Sequence, residues 1–188
     1  MYKDKLYDIL MCDDIVSSIN NNLDYLFDVI PELKSMVGFD HRHPHHHLDV
    51  WNHTLLALSY SKSDFYIRLV LLLHDIGKPF SYQDSEVRHF KGHPEVSCKM
   101  AFYILLRLGF NNDEISKVCY LIKEHDNPIS DKEIYDMYDI SLMKFKIQCC
   151  DALAHNPSKL DKRIKYLFSI YDKINAIDGK NKCRKFVK

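Results

Sequence analysis

A chain of 188 residues with 46% hydrophobic and 28% charged side chains has ordinary globular composition, which excludes a disordered chain and a fibrous repeat. Twenty-six basic residues balance 26 acidic ones, so no net field selects nucleic acid or a membrane surface, although a local patch is compatible with that balance. Only five glycines occur, too few for the frequent turns of an all-β chain, and the expected fold class is all-α.

Apolar residues recur at helical spacing, as in Leu23, Leu26, Phe27 and Ile30, where one face of a helix must find a core. The pattern predicts helices over 3–11, 15–29, 31–37, 49–61, 64–76, 93–108, 112–125, 131–137, 140–154 and 158–176. Starts are expected at Asp64, at Asn112 or Asp113, and at Ser158, since short polar side chains accept orphan backbone N–H bonds. Segments 38–48 and 78–92 resist the pattern and are rich in His and loop formers; long loops in a compact domain tend to carry function.

One domain over 1–188 is expected, with its core over 15–176 and a basic tail over 178–188 carrying Lys180, Lys182, Arg184, Lys185 and Lys188. That tail reads as a solvated end that has a weak claim on an anion or RNA. The longest apolar stretch, Leu69 to Leu73, is far too short to cross a bilayer. Six cysteines without a Cys-x-x-Cys pair, behind a polar opening segment, read as reduced thiols of a cytoplasmic protein.

Eleven histidines are the chain's most informative feature. His41, His43, His45, His46 and His47 crowd one loop, which alone means little because such loops bind metals adventitiously. His74-Asp75, by contrast, closes the apolar run Leu69-Val-Leu-Leu-Leu73. A polar pair at the end of a buried helix needs partners, and a metal ion is an efficient one. His53 lies on the preceding helix, and Asp151 interrupts an apolar helix face in Cys149-Cys-Asp-Ala-Leu153. Imidazole and carboxylate donors suit Mn, Fe, Co, Ni, Zn or Mg without choosing between them. No Walker loop, dinucleotide fingerprint, nucleophile elbow or zinc-finger spacing occurs.

This set, together with Pro31-Glu-Leu, His45, Asp49-Val-Trp-x-His-Thr-Leu, His74-Asp-Ile-Gly-Lys78, Phe90-Lys-Gly-His-Pro-Glu95 and Leu105-x-Arg-Leu, resembles the HD-domain metal-dependent phosphohydrolases. The local text is most similar to the HD domain of bacterial CCA-adding tRNA nucleotidyltransferases, over about 15–180. No nucleotidyltransferase half is visible, so a free-standing HD protein is expected.

The resemblance implies that His53, His74, Asp75 and Asp151 hold one divalent ion. His93 and His125 fall where two-metal members carry extra histidines, unless they hydrogen-bond to substrate or to a carboxylate. With two ions Asp75 would bridge them. Lys78 is expected either to bind a phosphoryl oxygen or to meet the helix end, with Gly77 as a left-handed cap. Arg88 and His89 are candidates for clamping a phosphate. Asp49 is expected to orient the imidazole of His53 through its second nitrogen, with His45 as companion. His41, His43, His46 and His47 read as loop histidines, and His155, four residues after Asp151, as helix surface near the rim.

The implied activity is hydrolysis of a nucleotide phosphomonoester or phosphodiester, with 2′,3′-cyclic phosphates and 2′-nucleotides first. The alternative is a non-catalytic nucleotide-sensing module that keeps the metal as a structural clamp.

Overall fold

The computed structural model describes residues 2–186 except 84, with side chains through 177. Among these residues the backbone forms ten α-helices and no strand, only the isolated bridges Asp40 to Asp49 and Gln83 to His89. The helices are α1 (Tyr2–Met11), α2 (Ile15–Asn21), α3 (Leu23–Val29), α4 (Val50–Ser59) and α5 (Phe65–Leu73), then α6 (His93–Arg107), α7 (Asn112–Glu124), α8 (Asp131–Asp136), α9 (Tyr138–Ala154) and α10 (Asp161–Phe186). Short 3₁₀ turns occupy Pro31–Met36, Lys78–Phe80 and Pro157–Lys159. No helix among the described residues is long and apolar enough to cross a membrane.

Local chemistry explains the boundaries, including those that differ from expectation. The single helix expected over 15–29 is two, because Asn22 leaves helical geometry and its Nδ2 donates back to the Ser18 carbonyl at 2.9 Å. The stretch at 31–37 is a 3₁₀ turn built on i to i+3 bonds such as Val37 N to Lys34 O. Asn111, and neither Asn112 nor Asp113, caps α7: its side chain accepts from Glu114 N while Glu114 accepts from Asn111 N, both at 3.0 Å. Asp64 caps α5 as expected, accepting from Ile67 N at 3.1 Å. Asn156 caps the last 3₁₀ turn, so α10 begins at Asp161 rather than at 158. The side chains of the basic tail at 178–188 lie outside the described residues.

Helix α5 is the axis of the fold. Every residue in it except Tyr66 is buried, the signature of a helix packed on all sides, and α1, α4, α7 and α9 surround it. At ~1.5–3 kcal/mol for each large apolar side chain removed from water, that burial fixes where α5 ends, and its end delivers His74 and Asp75 into the interior. Helix α4 packs on α9, and α6 on α7, so His53, Asp151, His93 and His125 converge on the same point. A smaller apolar cluster of Ile129, Ile134, Ile170 and Ile174 seats α10 against α8 and α9.

Gly77 has φ −83° and is not a left-handed cap. The glycine is required for a different reason. A Cβ there would stand 2.5 Å from Ser97 N and 2.8 Å from Ser97 Oγ on α6, and the close approach lets Gly77 N donate to Ser97 Oγ at 2.9 Å.

Candidate metal centre

Five buried imidazoles are oriented by main-chain carbonyls. Nδ1 lies 3.2 Å from Ala154 O in His53, 2.7 Å from Leu71 O in His74, and 3.0 Å from Phe90 O in His93. In His125 and His41 it lies 2.6 Å from Ile122 O and 2.9 Å from Leu48 O. A carbonyl can only accept, so Nδ1 carries a proton in each ring, and in the neutral ring Nε2 presents a lone pair.

Four such donors meet at the end of α5. His53 Nε2 lies 3.0 Å from Asp151 Oδ1 and 3.6 Å from Asp75 Oδ2. His74 Nε2 lies 3.3 Å from Asp75 Oδ2 and 3.5 Å from Asp151 Oδ1. With ligand bonds of about 2.1 Å, neighbouring donors around one ion are about 3.0–3.4 Å apart. His74 Nε2 and both Asp75 oxygens are buried without a hydrogen-bond partner, which costs about 1–3 kcal/mol per group, and more for a charge. The arrangement therefore fits a divalent cation on an observation of its own.

A second cluster uses the other Asp75 oxygen. Oδ1 lies 3.3 Å from His93 Nε2 and 4.0 Å from His125 Nε2, and the two imidazole nitrogens are 3.4 Å apart. Asp126, half exposed, closes this group with Oδ2 3.4 Å from His93 Nε2 and 3.6 Å from His125 Nε2. Asp75, His93 and His125 can hold a metal together, and so can His53, His74 and Asp75.

The charges here are strongly coupled. Burial opposes the charged form of His74, but Asp75 and Asp151 outweigh it and raise the pKa to about 9. Burial would raise Asp75, yet His74, Lys78 and His93 hold it well below the usual carboxylate range. Asp151 is likewise held low against burial by His155, His53 and His74. His125 is pushed down, chiefly by burial.

Lys78 points inward, its Nζ 2.7 Å from Asp75 Oδ2 and 3.2 Å from His41 Nε2. Burial and Lys78 push His41 down to about 2, so it stays a neutral acceptor. A cavity of about 290 Å³ opens over this centre, lined by Asp75, Lys78, Arg88, His89, His93, His125, Asp126 and Asp151 among others. Arg88 is held over the Phe39 and Tyr82 rings, 4.7 Å from each centroid, and donates to Asp40 O.

Two expected roles change. Asp49 does not orient His53: its carboxylate caps α4, taking Asn52 N at 2.7 Å and Asn52 Nδ2 at 2.9 Å, and the Ala154 carbonyl holds the imidazole instead. His45 is exposed, stacked on His43 at 5.2 Å, and its carbonyl accepts from Asn156 N, so it braces the loop rather than His53. Other histidines gain roles. His41 is fully buried; His46 stacks on it at 3.7 Å and meets His155 at 4.7 Å. His155 faces inward, with Nε2 3.8 Å from Asp151 Oδ1. The spacing of four residues from Asp151 carried that signal, whereas nothing local distinguishes His41, His46 or Asp126.

The family model described as "HD domain" matches residues 45–170. The chain belongs to the HD domain family. Among curated proteins this HD chain is 36% identical over 104 residues to the CC-adding tRNA nucleotidyltransferase of Thermus thermophilus, covering 51% of this chain and 24% of that protein. It is 31% identical over 133 residues to the A-adding tRNA nucleotidyltransferase of Deinococcus radiodurans, covering 65% of this chain and 30% of the relative. A "Multifunctional CCA protein" of Janthinobacterium sp. is 31% identical over 103 residues, covering 53% and 24%. The matched part of this chain thus spans at most about a third of these relatives.

Proposed function

We propose that this HD protein is a metal-dependent phosphohydrolase that cleaves a phosphomonoester or phosphodiester of a nucleotide. The supporting observation is Asp75, whose two buried oxygens make no hydrogen bond and each face a separate pair of imidazoles, with the Lys78 ammonium beside Oδ2. His53, His74, Asp75 and Asp151 would hold one ion, and Asp75, His93 and His125 a second. One or two divalent ions there, of Mn, Fe, Co, Ni, Zn or Mg, would supply Lewis acidity and a lowered pKa for the attacking water.

The remaining roles belong to the chain's own residues. Lys78, Arg88 and His89 line the cavity and would bind nonbridging phosphoryl oxygens as charge develops on them. His41 keeps the Lys78 ammonium directed inward. The water oxygen bonds to phosphorus while the ester oxygen leaves with a proton. The free thiols of Cys12, Cys98, Cys119, Cys149 and Cys150 accord with a reducing, cytoplasmic setting. The tRNA-processing names of the relatives bring RNA ends into consideration as substrates beside small nucleotides.

The test is a panel of 2′,3′-cyclic, 2′-, 3′- and 5′-nucleotides with each metal, wild type beside Asp75→Ala. Metal-dependent turnover of one class that disappears in the variant is expected. Silence across the panel and on a short oligoribonucleotide carrying the same terminal groups, with metal still tightly bound, would overturn the reading in favour of a non-catalytic module with a structural metal.

A further inference from the structure

Asp126 and His155, which line the metal cavity, also line a second cavity of about 390 Å³. Lys159, Lys162 and Arg163 line this second space, with Asp126 its one acid. Lys159 and Lys162 are exposed. Arg163 is half-buried, with Nε and one terminal nitrogen buried and without a hydrogen-bond partner, although a guanidinium normally satisfies its donors. It sits 5.6 Å from the Tyr166 ring centroid, and that ring is fixed by Ile129 N donating to Tyr166 Oη at 2.7 Å. Leu160, which precedes α10 and takes Ile164 N on its carbonyl, has no side-chain acceptor to cap the helix. The positive end of α10, partly offset by Asp161 in its first turn, lies beside the three cations.

We propose that this second cavity binds the neighbouring phosphodiester of an oligoribonucleotide whose terminal phosphate sits at Asp75. The inference rests on the phosphohydrolase reading and narrows its substrate class to nucleic-acid ends. Asp126 and His155 stand between the two cavities. That separation suits phosphates spaced by a nucleoside, whereas the phosphates of a nucleoside polyphosphate are contiguous. The mononucleotide would fill the first cavity and leave Arg163 unpaired.

The experiment compares a 2′,3′-cyclic mononucleotide with a trinucleotide ending in the same group, for wild type, Lys159→Ala/Lys162→Ala and Arg163→Gln. The trinucleotide is expected to have a KM about tenfold lower in wild type, an advantage lost in the variants while mononucleotide turnover holds. Fluorescence anisotropy of a labelled trinucleotide in chelator, across a salt series, reads binding without turnover. There the double variant should weaken binding and lower the salt slope by about two.

Equal KM values for the two substrates, or an advantage that survives in both variants, would overturn the proposal. So would a nucleoside polyphosphate that competes better than the trinucleotide. If no nucleotide is turned over, anisotropy decides alone: variant-sensitive binding supports the cavity while the phosphohydrolase reading fails, and unchanged binding overturns the cavity as well.

Discussion

Helix α5 buries a charged residue near its start and a charged pair at its end, and the two places handle burial in opposite ways. Arg68 spends its donors on protein: Nη1 bonds the Leu10 and Cys12 carbonyls at 2.6 and 2.8 Å, and Nε bonds Ser61 Oγ at 3.0 Å. It pins the end of α1 and the loop before α5, and a buried charge so satisfied is a structural bolt. At the other end His74 Nε2 and both Asp75 oxygens make no hydrogen bond, and Asp75 has only the Lys78 ammonium at 2.7 Å from Oδ2 to set against its charge. Hydrogen-bond accounting thus separates a buried charge that holds the fold from one that is incomplete without a ligand, although burial alone makes them look alike.

Asp75→Ala should break the second end most severely. Loss of the shared carboxylate removes a donor from both clusters, so turnover should fall by about 10³-fold or more. Thermal unfolding with and without metal checks the cause: the rise in Tm on adding metal should vanish while the metal-free variant stays folded. The converse variant, Arg68→Met, should cost about 3 kcal/mol by stranding the carbonyls it serves, read by urea unfolding. Its metal-induced Tm rise should match wild type. An unstable Asp75→Ala beside a neutral Arg68→Met would invert the assignment.

The contrast between the two ends was legible in the sequence only at one of them. His74, Asp75 and Asp151 stand out because polar residues interrupt apolar helical runs, and the resemblance to HD domains joins His53 to them. The loops at 38–48 and 78–92 were readable as the places where periodicity fails, and they do carry Arg88 and His89 to the cavity. What stayed hidden depends on the path of the backbone. The one-turn spacing of Asp49 and His53 suggested a pair, but the orphan N–H groups of α4 claim the carboxylate. The carbonyl that orients His53 belongs to Ala154, 101 residues away, and a main-chain acceptor has no letter in a sequence. His41 and His46 are drawn inward by a loop in which Arg42 takes φ 43°, a conformation its side chain does not announce. Asn22 divides a predicted helix by a side-chain bond to the Ser18 carbonyl, which periodicity does not register.

A smaller effect tests how tightly the second end is built. Gly77→Ala introduces a methyl within 2.5 Å of Ser97 N and 2.9 Å of His93 O, so α6 must retreat at a cost of about 1–3 kcal/mol. Because His93 opens α6, the shift should weaken the second metal more than the first, measurable as a selective loss of one of two binding steps in calorimetry. Equal weakening of both steps would show that α6 is not an independent arm of the site.

The mildest perturbation is pH, and it distinguishes the two ends by their protons. His74 is raised to about 9 from an ordinary value of 6.5. In the metal-free protein its contribution to stability is therefore fully present below 6.5 and lost as pH rises through 9. Coordination requires its neutral form, so at pH 7 loading the first ion should expel about one proton, and above pH 9 nearly none. Calorimetry in two buffers of different ionisation enthalpy counts that proton. Metal affinity should rise with pH across the same window. Arg68, although burial lowers its pKa from 12.5, keeps its protein partners whether or not the metal is bound and should release nothing. A proton count near zero at pH 7 would mean that His74 is already neutral and that Asp75 and Asp151 are balanced by Lys78 and His155, leaving the ion to displace an ammonium rather than a proton.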